Sequence, residues 1–268
     1  MDPYISLSWA DVAIAGVLIL LNGLFSIWLT LGLHWRLAIA ALRSVVQLWL
    51  MGLVLGTLFS LVSPFWTGLA ALVMIGFAGH EVASRQDRPL SGWWTRGLGT
   101  GAILTAAMLA TLFALFAALH TDPWYDPRYA IPLLGMILGN TMNGVALGLN
   151  GVTSGLALRR PAVEAQLMLG ATRRQAMAPV IRQSLRTALM PIINTMSATG
   201  VVALPGMMTG QILGGVAPAE AVKYQVMILF LIAGGTGAGA VAAVVGAAWR
   251  LSDQRHRLRL DRLALPRQ

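Results

Sequence analysis

The sequence predicts an all-α, polytopic membrane helix bundle of about seven transmembrane helices, N-terminus outside and C-terminus inside. Three observations carry that prediction. Of 268 residues, 57% are hydrophobic and only 11% charged, with a mean hydropathy of +0.71; a soluble domain averages about 25% charged. Seven apolar segments reach or approach the ~20 residues a helix needs to cross a bilayer. The 19 basic residues, finally, fall almost entirely on alternate connections.

The segments are read in order at 10–32, 38–59, 63–80, 98–119, 130–156, 184–204 and 224–249. The start, "MDPYISLSWAD", has no basic n-region, so the first span is expected to be retained. That span carries Asn22, Ser26 and Thr30 at every fourth position. The second carries Arg43 and Gln47, four apart and therefore on one face. The third, about 18 residues long, is near the lower limit for spanning. Gly- and Ala-rich runs such as "GGTGAGAVAAVVGAA" in the last span suit close helix contact in lipid. Alternating ten-residue strands, which a β-barrel needs, are not seen.

Placing the C-terminus inside puts 17 of the 19 Lys and Arg residues on or next to inner connections, leaving Arg128 and Lys223 outside. Basic residues resist translocation, so this asymmetry sets the orientation. The same placement makes nucleic acid an unneeded explanation for the net charge of +9. One transmembrane domain is expected over 1–250, with a basic inner tail over 251–268, suited to anionic headgroups or to a partner. Cys is absent, which removes disulfides and thiolate metal sites.

The inner stretch "EAQLMLGATRRQAM" (164–177) has the chemistry of two helices joined by a turn, the inner helices spanning about 160–178. Pro161 suits a first helical position. Glu164 is expected in the first turn. Ala165, Met168 and Leu169 make a small apolar stripe. Gly170 permits a left-handed stop, and Thr172 with Gln175 has capping-box spacing. Pro179 is expected to bend the next helix. On spacing alone, such a helix either docks in a groove of another protein or rests on headgroups.

Glu164-Ala165 with Gly170 resembles the E-A-A-x-x-x-G loop of ABC-transporter permeases, although Val180 and Arg182-Gln183 depart from the usual Ile and Leu-Pro. The stretches "LRSVVQLWLMG" (42–52), "PLLGMILGNTMNG" (132–144), 169–215 with its "PIINTM…LPGMMTGQILGG" run, and "AVKYQVMI" (221–228) narrow the likeness. They resemble the FetB-type iron-export permease family, related to plant aluminium-tolerance half-transporter permeases. The resemblance implies a small permease that pairs with a separate cytoplasmic ATPase. It implies iron or a related metal species as cargo, with another solute such as a nucleotide sugar as the alternative. The loop would be a coupling helix, with Glu164, Ala165, Met168, Gly170, Ala171, Arg173 and Arg174 docking on the ATPase.

The chain has no G-x-x-x-x-G-K-[ST] phosphate loop, and its only lysine is Lys223. No cofactor is expected in this chain; ATP-Mg would be held by the partner subunit. Two ATPases would require two permease copies, so a homodimer is expected. Gly52/Gly56, Gly97/Gly101, Gly135/Gly139 and Gly235/Gly239 have G-x-x-x-G spacing, most of them expected to serve contacts inside one bundle. An enzyme is not expected, since no nucleophile–base constellation is found.

For the substrate path, polar groups inside spans are the guide, because they are costly in lipid. Arg43, Gln47, Asn140, Asn143 and Asn194 are candidates, with Met196. Pro205, Gly206, Gly210, Gly214 and Gly215 suggest a broken or re-entrant element over about 204–222. Irregular backbone at that depth is tolerated where it lines a cavity, which brings in Met207, Met208 and Gln211. Met136 and Met142 also lie on segments near that path. Thioethers favour soft ions but are more often packing. His34, His80, His120 and His256 are scattered, and Asp11 and Glu81 sit near span ends, so no hard-metal site is read. A secondary transporter without an ATPase is the competing class; it usually needs intramembrane carboxylates. The expected setting is the bacterial inner (plasma) membrane.

Overall fold

A computed structural model describes residues 8–119 and 121–265. His120 and Arg267, together with the start of the N-terminal stretch read above, lie outside the described residues. Nine α-helices are present among those described: α1 (Trp9–Trp28), α2 (His34–Leu61), α3 (Pro64–Ser84), α4 (Trp94–Phe113), α5 (Pro127–Leu158), α6 (Arg160–Met168), α7 (Arg173–Ala198), α8 (Gly206–Leu213) and α9 (Pro218–Arg250). A π-helical turn, Ala114–Leu119, prolongs α4.

The chain divides into two compact units. The first holds α1 and α2, with Leu213–Gly215. Ser8 and Asp11 cap α1 reciprocally. The buried Ser26 hydroxyl accepts a 2.9 Å bond from the Leu33 N–H and so fixes the turn between the two helices. The first polar stripe is thus partly spent on local structure: Asn22 donates to the Leu18 carbonyl of its own helix at 3.1 Å.

The second unit covers Val62–Ile212 and Val216–Gln268. Its close contacts give each long helix a direction. Gly79 lies against Thr100 and Gly99 against Val82, so α3 and α4 are antiparallel. Gly155 lies against Val180, Gly151 against Ser184 and Gly148 against Ala188, so α5 and α7 are antiparallel too. Gly144 meets Thr236 and Gly148 meets Val244, which makes α5 and α9 parallel. α3, α5 and α9 therefore run one way, and α4 and α7 the other. This alternation places α7 among the crossing helices, although among the described residues only six helices are both long and apolar enough to cross a membrane on composition. The reason α7 falls short is visible: Arg173, Arg174, Arg182 and Arg186 all fall between its first residue and its middle turn.

Several expected boundaries move. The sixth segment is helical only to Ala198, and the last begins at Pro218 rather than near 224. At ~1.5 Å per residue, α5 and α9 are each about 48–50 Å long, while the hydrocarbon core is about 30 Å. Each is therefore longer than the core. Arg250, the last residue of α9, stands 4.3 Å over the Trp94 ring, tying α9 to the start of α4.

The small-residue seam falls mostly on G-x-x-x-G pairs other than the four named above. Only Gly235/Gly239 of the four pairs is packed throughout, against Ile137, Thr141 and Val145. Gly52, Gly56, Gly97, Gly101 and Gly139 have nothing within 4 Å of a would-be Cβ. The tight seam is instead Gly144, Gly148, Gly151 and Gly155 on α5, spaced four, three and four along one face. A methyl at Gly148 would stand 2.8 Å from Val244 Cγ2. Gly148→Val is expected to cost about 1–3 kcal/mol, the usual penalty of overpacking, read as a lower melting temperature of the purified protein. Gly139→Ala, on an open face, should leave it unchanged or raise it.

Candidate functional site: docking elbow and outer cavity

The elbow between α5 and α7 is built from local rules. Pro161 sits in the first turn of α6, where its missing N–H costs nothing. Val163 is only 3% exposed and roots the short helix on the core. Glu164 lies beyond the first turn, contrary to expectation, because α6 begins at Arg160; it pairs with Arg160 at 2.8 Å instead. Gly170 takes φ +90°. The Ala171 N–H donates to the Gln166 carbonyl at 3.0 Å and the Gly170 N–H to Leu167 at 3.1 Å. This is the paired bonding of a left-handed helix stop. Thr172 then caps α7, accepting from the Gln175 N–H, while its own N–H donates to Gln175 Oε1 at 2.9 Å. Pro179 and Pro191 lie within α7 without ending it.

The stop turns apolar side chains outward. Met168 is 82% and Leu169 87% exposed, and Ala165, Gly170 and Arg174 are exposed with them. Ala171 is half-buried. Arg173 turns the other way: its backbone N–H donates to Nδ1 of His256 at 3.2 Å and its Nη1 to the Asp253 carbonyl at 3.3 Å. Neither partner was legible in the sequence, since each lies about 80 residues away.

At the opposite end of the second unit, α5, α8 and α9 enclose a cavity of about 480 Å³. Met207 and Gln211 line it, with Met136, Met227, Arg128 and Tyr224. Gln211 Oε1 is buried without a partner. Tyr129 and Tyr224 are shared with a polar recess of about 240 Å³ that adds Thr121, Asp122 and Asp126. A larger groove of about 810 Å³ on α4 and α9 has Lys223 as its only charged lining residue. Leu109, Phe113 and Phe230 make it apolar, as a lipid-facing surface should be.

The other path candidates are dispersed. Asn140 donates to the Met136 carbonyl one turn back, at 3.0 Å. Asn143 accepts from Arg85 at 2.8 Å, and Arg85 also pairs with Glu81. This belongs to a clamp that includes Gln86 on the Ala146 carbonyl and Asp87 on Asn150, fastening the end of α3 to α5. Asn194 and Met196 are exposed on α7, and Met208 is half-buried on α8. Arg43 and Gln47 have exposed side chains on α2, in the first unit.

Two ends of one membrane unit, one basic and elbowed and the other a polar-mouthed cavity, can be set beside known proteins. The profile described as "Uncharacterised protein family (UPF0014)" matches residues 9–251. The chain belongs to the UPF0014 family. The UPF0014 membrane protein slr1647 of Synechocystis sp. is 37% identical over 233 residues, covering 85% of this chain and 87% of its own length. Protein ALUMINUM SENSITIVE 3 of Arabidopsis thaliana is 32% identical over 222 residues, 83% and 79% of the two chains. The "Probable iron export permease protein FetB" of Escherichia coli is 30% identical over 223 residues, 82% and 83%. No solved structure matches. The family and the apolar helices make this UPF0014 chain an integral membrane protein, as its composition predicts for the bacterial inner membrane.

The double cap defines the elbow, so its loss should be local. Thr172→Ala is expected to cost about 1 kcal/mol of helix stability. Amide hydrogen exchange near Gln175 should quicken about fivefold, while the amides of α9 stay unchanged.

Proposed function

We propose that this chain is the membrane-spanning permease subunit of an ATP-binding-cassette exporter, driven by a separate cytoplasmic ATPase that grips the α6–α7 elbow. The observation that carries the reading is the pair Met168 and Leu169, held outward beyond a rooted helix and a fixed left-handed stop. Long apolar side chains presented to water on a rigid element suit insertion into a groove. Membership of a family that includes a protein named as an iron export permease supports transport. ATP-Mg and its hydrolysis are assigned to the partner in this reading, which the lack of a phosphate-loop motif in the sequence supports. Two such permeases, one per ATPase, make a closed assembly.

Iron or a related metal species is the proposed cargo, leaving through the outer cavity. The unpartnered amide oxygen of Gln211 and the two carboxylates of the adjoining recess are oxygen donors suited to iron, while the thioethers that also line the cavity favour softer ions. The cytoplasmic side of the elbow follows from charge: every Arg at that end of the second unit would be retained inside. Arg128 in the cavity favours a second reading, an organic anion or nucleotide sugar as cargo.

Proteoliposomes holding both subunits should move iron in an ATP-dependent way toward the face that carries the outer cavity. ATP-driven movement of a nucleotide sugar, with none of iron, would sink the iron reading. Replacing both Met168 and Leu169 by Glu removes two apolar anchors, each worth roughly 1.5–3 kcal/mol when buried. The ATPase recovered with the affinity-purified permease should fall at least tenfold.

A further inference from the structure

The family match ends at residue 251, yet the chain beyond it is folded against the rest of the inner end. After α9 the backbone turns back on itself: the Arg259 N–H donates to the Leu251 carbonyl at 2.9 Å, and Ser252 bridges Leu258. Leu258, Leu260 and Leu263 pack on the core. A clasp then closes on the α3–α4 connection. The Ser91 N–H donates to the Arg262 carbonyl and the Ala264 N–H to the Pro89 carbonyl, both at 2.8 Å, around a Leu90–Leu263 bridge. Within the turn lies the hook of Asp253 and His256 on Arg173, the first residue of α7.

Internal ion pairs hold this segment in shape. Arg259 grips Asp261 through two 2.8 Å bonds and keeps its carboxyl down at about 2. Asp253 is also held below its ordinary value, chiefly by the Arg257 backbone N–H. Both carboxyls have lowered folded-state values. Their contributions are therefore full above the ordinary carboxylate pKa of about 3.9 and fade only as pH falls below it. At cytoplasmic pH the shape is fully supported.

We propose that residues 253–264 are part of the ATPase-docking platform, joining the elbow and the α3–α4 loop into one basic surface that fits an acidic partner cleft. The proposal rests on the docking reading above and extends it. Segment 253–264 reaches the head of α7 within two residues of Ala171, so a partner seated on Met168 and Leu169 meets the hook as well. Arg174 and Arg255 are exposed beside that hook, with Arg88 on the α3–α4 connection and Arg160, paired with Glu164, at the start of α6. Their sign selects a partner surface bearing Asp and Glu. His256 acts as a positioning residue: only a ring nitrogen carrying a lone pair can accept the Arg173 N–H, and that bond ties the first residue of α7 to the tail.

His256 has φ +55°, a backbone that Gly and Asn adopt readily. That permits a clean comparison. His256→Gly keeps the turn and removes the acceptor, whereas His256→Asn keeps both, its amide oxygen replacing Nδ1. With the full-length permease and its ATPase in detergent, the dissociation constant should rise about fivefold for His256→Gly, as expected for one lost hydrogen bond. It should stay within twofold of the parent for His256→Asn. Arg255→Glu, which alters no packing, should weaken binding at least threefold at low salt and less at high salt. If Met168→Glu releases the ATPase while His256→Gly and Arg255→Glu bind like the parent, the tail is not part of the platform and the proposal fails alone. If Met168→Glu also binds normally, the docking reading fails and takes the proposal with it.

Discussion

The second unit depends on one steric constraint, the absence of side chains at Gly144, Gly148, Gly151 and Gly155 along one face of α5. Lipid gives two apolar helices no hydrophobic reason to associate, so contact must come from close backbone approach and dispersion. The glycine face lets Val180, Ser184 and Ala188 of α7 approach the α5 backbone. It lets Thr236 and Val244 of α9 approach it at Gly144 and Gly148. Three helices locked this way move as one body, because packed cores have few intermediate arrangements.

The rest follows from where that body ends. Its inner end carries the elbow, short and doubly capped, so displacement of the elbow passes into α5 and α7 rather than being absorbed by a slack loop. Its outer end carries the cavity at the first turns of α5 and α9. α5 joins the two over about 48 Å. The clamp of Arg85, Gln86 and Asp87 on Asn143, Ala146 and Asn150 adds α3 to the same assembly. Under the proposed function, a motor at one end and a gate at the other would share a single mechanical element.

Much of this was legible in the sequence, for definite reasons. Charge is costly in hydrocarbon, so Arg placement shows the alternation of helix direction. The Pro161, Gly170 and Thr172 signals are local and survive any tertiary context. Partner choice was not legible. In lipid both faces of a helix are apolar, so periodicity does not separate the glycines of α5 that meet protein from Gly52 or Gly97 that meet none. Asn143 looked like a path residue because an intramembrane amide usually is one; its Arg85 partner lies 58 positions away. The hook on Arg173 is hidden for the same reason. Met207 and Gln211 were singled out because Pro and Gly broke the pattern around them, and broken backbone needs a cavity or protein cover; both line the cavity.

All of this requires that the elbow face the cytoplasm, where ATP is. The chain contains no cysteine, so single introduced thiols report position without background. Leu169→Cys and Trp124→Cys, treated in whole cells with a membrane-impermeant maleimide, test the requirement directly. Labelling of position 124 in intact cells, and of position 169 only after permeabilisation, is the predicted result. Labelling of position 169 in intact cells would contradict it.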